Sequence, residues 1–130
     1  MCRAIRPGMK RDDENGIDER SFRFFKAVLA YVQTIRPAPG ISRLVEQLAG
    51  AAGSVGNNRE EALGGSSRRE FLRYNEIALR SASESVRWLR ACATRRLGDQ
   101  AQCSQLLDEG RQLARILGKI VISTKRGGLD

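Results

Sequence analysis

Three short segments that disfavour helix divide this sequence, and the stretches between them carry apolar residues at helical spacing. These breaks are Arg36-Pro-Ala-Pro-Gly40, Gly64-Gly65 and Gly98. Proline removes a backbone donor and restricts the residue before it, and glycine commonly follows the last turn of a helix. No stretch alternates apolar and polar residues with the period of two that strands show. The sequence therefore predicts four helices and no sheet.

Residues that cap helices well stand near the expected helix starts. Asp18 or Ser21 can cap the first helix, and Ser67 with Glu70 forms a capping box for the third. Asp99 can cap the fourth. The predicted spans, in chain order, are 18–36, 42–63, 67–97 and 99–125. The expected core face of the first helix is Phe22, Phe25, Val28, Leu29, Val32 and Ile35.

Four amphipathic helices joined by short turns predict an all-α, antiparallel up-down four-helix bundle. The bundle is expected to occupy residues 18–126. Residues 1–17, with Pro7, Gly8 and Gly16, are predicted to form a poorly ordered N-terminal tail, and 127–130 a C-terminal tail.

The glycines at positions 50, 53 and 56 raise the possibility of a phosphate-binding loop. Their spacing matches neither the dinucleotide-binding motif nor the P-loop, and no strand precedes them. They keep helical register with Leu44 and Leu48. Because each glycine inside a helix costs about 1 kcal/mol relative to alanine, we expect another helix or subunit to pack closely there.

The composition argues against catalysis. The chain has no histidine, which removes the commonest general acid or base and the commonest metal ligand. Cys2, Cys92 and Cys103 have neither metal-binding nor disulfide-framework spacing. We expect a non-enzymatic protein with no cofactor and no metal, located in the cytoplasm without a membrane span or signal peptide.

The net charge is +8, and the arginines and lysines that produce it fall into stripes on two helices. A basic face attracts polyanions, although a stripe of this kind also suits a solvated surface laced with ion pairs. Aromatic residues are sparse, so the protein would contact the sugar-phosphate backbone of RNA or DNA and would not stack on its bases. The candidate nucleic-acid-binding residues are Arg69, Arg73, Arg80, Arg87, Arg111, Arg115 and Lys119.

The apolar surface looks wider than one bundle needs, which favours self-association. Phe24 and Tyr31 on the first helix, with Ile77 and Trp88 on the third, are the candidate interface residues. Alternatively, these residues cover the seams between helices.

Polar residues also interrupt the apolar stripe of the second helix. Asn58 lies at its inner edge and Arg59 at the other edge, and a polar group there must be hydrogen-bonded. Asn58 and Glu61 are therefore expected to form a structural polar cluster, with a small-molecule or catalytic pocket as the alternative.

The second and third helices resemble a known family. The matching residues are Gln47, Leu48, Ala51, Ala52, Ser54, Val55, Asn58 and Glu61, followed by Arg69-Glu70-Phe71-Leu72-Arg73-Tyr74 and by Ile77-Ala78-Leu79-x-Ser81. This pattern resembles the bacterial four helix bundle proteins, which include proteins encoded in intervening sequences of ribosomal RNA genes. The sequence departs from the pattern at Arg59, where an apolar residue is usual, and at Ala62, where glycine is usual.

That family is similar in architecture to the accessory variability proteins of diversity-generating retroelements, which work beside a reverse transcriptase and its RNA. The resemblance implies an antiparallel bundle, a homopentamer and no known catalysis. Two hypotheses follow for this chain. It is either a homo-oligomer whose basic faces bind RNA or DNA, with or without a protein partner, or a protein-interaction scaffold that binds no nucleic acid.

Overall fold

The computed structural model describes residues 11–127, with side chains from residue 16 onward. It contains four helices and, within that range, no strand. The helices are α1 (Arg11–Val32), α2 (Ile41–Gly64), α3 (Arg68–Thr94) and α4 (Gln100–Arg126). The all-α prediction is confirmed. No helix among the described residues is both long and apolar enough to cross a bilayer.

Each helix packs against its neighbours in sequence, and α1 also packs against α4, so the four helices close into a ring around one core. Individual contacts show that neighbours run antiparallel. Arg59, late in α2, bonds to Asp18, early in α1. The Cys103 thiol, early in α4, donates to the carbonyl of Leu89, late in α3. The predicted antiparallel four-helix bundle is the observed fold.

The first helix begins at Arg11, seven residues before the predicted Asp18. The extension brings Ile17 into the core, where it is 4% exposed. Burial of this side chain explains why the bundle begins before residue 18. The remainder of the predicted N-terminal tail, residues 1–10, and residues 128–130 lie outside the described part of the chain.

The predicted capping residues cap α3 and α4. The Ser67 hydroxyl accepts the Glu70 backbone N–H at 3.1 Å, and Glu70 accepts the Ser66 N–H at 3.1 Å. Asp99 accepts the Gln102 backbone N–H at 2.9 Å. These bonds satisfy donors that a helix start otherwise leaves unpaired.

The core face of α1 differs from the predicted one. Its buried residues are Ile17, Ser21, Phe24, Val28 and Tyr31, and Ile35, just beyond the end of the helix, is buried as well. Phe22 and Leu29 are instead 54% and 39% exposed. The observed face follows the alternating spacing of four and three residues that begins at Ile17, a residue that the predicted helix left out.

Phe24 and Tyr31 were therefore wrongly predicted as oligomer-interface residues. They are 2% and 0% exposed within a single chain and have no surface to offer a partner. Tyr31 was placed beside the predicted core stripe, but it lies inside the bundle, where its hydroxyl donates to the Leu97 carbonyl at 2.6 Å and is thereby satisfied.

The glycines of α2 lie within the helix and form no loop. Only Gly53 is closely approached, because a Cβ there would stand 3.1 Å from the Phe25 ring of α1. A Cβ on Gly56 would make an ordinary 3.7 Å contact with Ser21, and one on Gly50 would meet nothing within 4 Å. The expected close packing is thus confined to Gly53.

Candidate nucleic-acid interface

The arginines of α3 lie on the side of the helix opposite its core. Ala78 and Ala82, which flank Arg80 at a distance of two residues, are both fully buried. At 100° per residue, this alternation turns Arg80 outward. The four predicted α3 residues are all exposed, namely Arg69, Arg73, Arg80 and Arg87. We call these four the α3 row.

The basic residues of α4 repeat the arrangement on the adjacent helix. Leu113 and Leu117 are fully buried, and Arg115, two residues from each of them, is turned outward. Arg111, Arg115 and Lys119, spaced four apart, are all exposed. We call these three the α4 row.

The two rows flank the seam at which α3 and α4 pack together. Lys125 of α4 reaches Glu76 of α3 at 3.3 Å, so these residues mark the outer edges of the seam. Arg80 follows Glu76 by four residues and shares its edge. Arg111 precedes Lys125 by fourteen residues, close to four full turns, and shares the other edge.

The contacts also fix which members of the rows face one another. A Cβ on Gly110 would stand 3.1 Å from Val86, so the neighbouring Arg111 lies level with Arg87. Because the helices are antiparallel and Lys125 is level with Glu76, Lys119 lies near the level of Arg80. The rows therefore run side by side over at least two turns.

None of the seven side chains is neutralised by a carboxylate among the described residues. The four ion pairs there are Arg20–Glu109, Arg23–Glu19, Arg59–Asp18 and Lys125–Glu76. The remaining acids on this face already accept hydrogen bonds, Glu84 from Trp88 and Asp108 from Gln112. The face carries an excess of exposed positive charge that is available to an anionic partner.

A buried polar cluster, which the sequence analysis did not predict, is formed by Arg59, Asp18 and Asn75. Arg59 is fully buried. Its Nε donates to Asp18 Oδ1 at 2.9 Å, and its Nη1 donates to Asn75 Oδ1 at 2.8 Å. The signal was present, because Arg59 follows the buried Val55 by four residues and so continues the apolar stripe of α2.

The predicted cluster of Asn58 and Glu61 was wrong. Asn58 is partly buried and donates to the carbonyl and hydroxyl of Ser54, both at 2.9 Å. Glu61 is exposed, and its side chain makes no hydrogen bond or ion pair with any residue in the range 16–127. Helical geometry turns Glu61 outward, 200° from Arg59, so the inward polar position belongs to Arg59.

The opposite end of the core holds two thiols and a phenol. Cys92 and Cys103 are buried free cysteines. Burial raises the pKa of the Cys92 thiol, so this group stays protonated near neutral pH. A buried, protonated thiol packs as a small apolar group and is a poor nucleophile.

Two grooves run beside α1. One, of about 670 Å³, lies against α4 and includes the Arg20–Glu109 ion pair. The other, of about 520 Å³, lies against α2 and is lined by Asp18, Glu19 and Glu60. Among the described residues, no group of three or more cysteine and carboxylate side chains could hold a metal ion.

The remaining predicted interface residues, Ile77 and Trp88, are partly buried on α3. The Trp88 indole donates to Glu84 at 3.2 Å. Larger apolar side chains that remain exposed are Phe22, Leu29 and Ile122.

These features define an all-α bundle with a polar core cluster at one end and a basic face along α3 and α4. Residues 14–119 match the family described as 23S rRNA-intervening sequence protein, and the chain belongs to that family. A crystal structure of a protein of unknown function from the S23 ribosomal protein family of Bacteroides thetaiotaomicron has a similar fold, with a TM-score of 0.72. The two sequences are 20% identical, and the structural alignment covers 81% of this chain and 97% of the Bacteroides protein. No curated protein matches significantly.

Proposed function

We propose that this protein is a non-enzymatic homo-oligomer that binds nucleic acid through the α3 row and the α4 row. The observation that carries the proposal is the arrangement of seven exposed basic side chains along one seam, none in an ion pair among the described residues. Binding would break no existing ion pair at these positions. Each contact with a phosphate would release counterions from the nucleic acid, which favours association.

RNA is the nucleic acid to test first. The family's description refers to an intervening sequence of 23S rRNA. The rows contain only arginine and lysine, and arginine pairs bidentately with phosphate. Contacts of this type hold the backbone without reading bases, so we expect affinity with little sequence specificity.

The absence of catalysis is part of the proposal. The sequence contains no histidine, and burial raises the pKa of the Cys92 thiol, which makes it a poor nucleophile. The free thiols of Cys92 and Cys103 fit a reducing cytoplasm, which is our proposed location.

Self-association rests on exposed apolar surface. Phe22 and Leu29 lie seven residues apart on one edge of α1, while Trp88 is partly exposed on α3. Such residues commonly mark contacts between protein surfaces. We propose a homo-oligomer, with the pentamer as the expected form. These residues also support the alternative function, a scaffold that holds protein partners and binds no nucleic acid.

Fluorescence anisotropy of a labelled hairpin RNA across a salt series separates the two functions. Nucleic-acid binding predicts an affinity that falls steeply with salt, because several phosphates are neutralised. No binding at low salt would contradict it and favour the scaffold.

A further inference from the structure

We propose that the α3 row and the α4 row each contact a different strand of a nucleic-acid duplex, so that the protein prefers duplex to single-stranded nucleic acid. This inference rests on the proposed function and names the form of nucleic acid that the same face accepts. Three properties of the face support it, namely its two-row geometry, its length and its small amount of aromatic surface for stacking.

The geometry provides two separate lines of charge. Arg87 is level with Arg111 across the seam, and Arg80 is near the level of Lys119. Packed helices lie about 8–10 Å apart, so two lines that flank a seam are separated by at least about that distance. A single strand can follow one line. A duplex presents two phosphate backbones on either side of a groove and can engage both.

The length suits a rigid partner. Arg69 and Arg87 are eighteen residues apart, which places the ends of the α3 row about 27 Å from each other. One strand of B-form DNA carries a phosphate for each interval of about 3.4 Å along the helix axis, so this row matches the axial length of roughly eight base pairs. Each row lies on a single uninterrupted helix of 27 residues, so each is a continuous line of positive charge.

The aromatic side chains of α3 and α4 give unpaired bases little surface on which to stack. The α4 helix contains no Phe, Tyr or Trp. On α3, Phe71 is buried, Tyr74 lies beside the Arg73 guanidinium, and the Trp88 indole bonds to Glu84. Proteins that hold single strands gain about 1–3 kcal/mol per stacked base, and on these two helices only the partly buried Tyr74 and Trp88 could contribute to such a gain. Bases inside a duplex are already stacked and need no such platform.

The test compares a 20-base-pair RNA duplex, the matching DNA duplex and each separate strand, by fluorescence anisotropy across a salt series. We expect either or both duplexes to bind about tenfold tighter than their strands, and the two duplexes report whether A-form or B-form geometry fits better. Two double variants address the rows separately: Arg80→Ala/Arg87→Ala, and Arg111→Ala/Arg115→Ala. Each should lower the magnitude of the duplex salt slope by about 1.8, for two lost phosphate contacts.

The matched control is Arg36→Ala/Arg43→Ala, which removes two exposed arginines from the α1–α2 side and gives the same net charge. It should retain the wild-type slope. Equal affinity for duplexes and strands, or loss of binding from only one row, would overturn the two-strand contact while leaving nucleic-acid binding intact. Failure to bind any of the four probe types would overturn the proposed function itself.

Discussion

Arg59 in α2 donates through Nε to Oδ1 of Asp18 in α1 over 2.9 Å, and the arginine is completely buried. Asn75 of α3 accepts from the same guanidinium. A full positive charge is thus held inside the bundle, where water cannot hydrate it. The stability of the bundle depends on the Asp18 carboxylate, because removing one partner of a buried ion pair leaves an uncompensated charge.

We therefore expect Asp18→Ala to lower the free energy of unfolding by about 2–3 kcal/mol. This loss is smaller than the roughly 3–5 kcal/mol expected for a fully buried pair because the Asp18 side chain is 27% exposed. The control is Glu19→Ala, which removes an adjacent exposed carboxylate and should cost about 0.5 kcal/mol or less. Urea denaturation followed by circular dichroism measures both. Equal losses would contradict a special role for Asp18.

A second variant separates the charge from the packing. In Asp18→Ala/Arg59→Met the buried charge is gone and an apolar side chain of similar length fills its place. Replacement of buried ion pairs by apolar residues is often neutral. The double variant should therefore recover most of the stability lost in Asp18→Ala, and a further loss would show that the guanidinium is needed in its own right.

Substitutions at two glycines of α2 should change the free energy of unfolding in opposite directions. Gly53→Leu should destabilise the bundle by roughly 1–3 kcal/mol, because even a Cβ there approaches the Phe25 ring to 3.1 Å. Gly50→Ala should stabilise it by about 0.5–1 kcal/mol, since the site is open and alanine is the better helix former. Thermal unfolding of both variants tests this, and a native-like Gly53→Leu protein would refute the close contact.

Alkaline pH should destabilise the protein. Burial is the main cause that raises the pKa of both Tyr31 and Cys92, and the Cys103 thiol adds to the effect on Tyr31. In the unfolded chain the pKa is about 10 for the tyrosine and about 8.5 for the cysteine. Above those values the unfolded state releases protons that the folded state retains, so stability falls as pH rises.

Urea titrations between pH 7.5 and 10.5 measure that slope. Tyr31→Phe and Cys92→Ala should each make it shallower, and Tyr31→Phe should also cost about 1 kcal/mol at neutral pH through the lost bond to Leu97. A wild-type stability that does not change across this range would contradict the assignment.

Self-association predicts that Trp88→Ala lowers the oligomer mass, and that Phe22→Ser/Leu29→Ser does the same for the α1 surface. Gln33→Ala, an exposed substitution on the same chain, should leave the mass unchanged. Light scattering coupled to size exclusion measures all three. A monomeric wild-type protein would contradict the homo-oligomer, and unchanged masses in both variants would exclude these surfaces.

The sequence predicted the number of helices and the caps of α3 and α4 because those depend on local chemistry, whereas the predicted caps of the first helix, Asp18 or Ser21, lie inside α1. Gly65 directly follows α2, Gly98 takes a positive φ of 65° in the turn before α4, and Ser67 and Asp99 cap through residues three positions away. The outward direction of the basic residues followed from the same periodicity.

The burial of Tyr31 and the polar cluster were predicted wrongly because they depend on distant partners. The Tyr31 hydroxyl can be buried because the Leu97 carbonyl, 66 residues away, accepts a hydrogen bond from it. Arg59 is buried because Asp18, 41 residues away, neutralises it. A residue's own neighbours in sequence do not report such partners, and a charged residue in an apolar stripe is ordinarily assigned to its edge.

The central claim is that the face formed by α3 and α4 binds nucleic acid, and charge reversal tests it most directly. Arg80→Glu/Arg115→Glu places one reversal in each row, and Arg36→Glu/Arg43→Glu makes the same change in net charge elsewhere on the surface. Affinity for a hairpin RNA at fixed moderate salt should fall at least about tenfold in the first variant and about twofold or less in the second. Equal losses in the two variants would mean that only net charge matters, and would contradict a defined interface on α3 and α4.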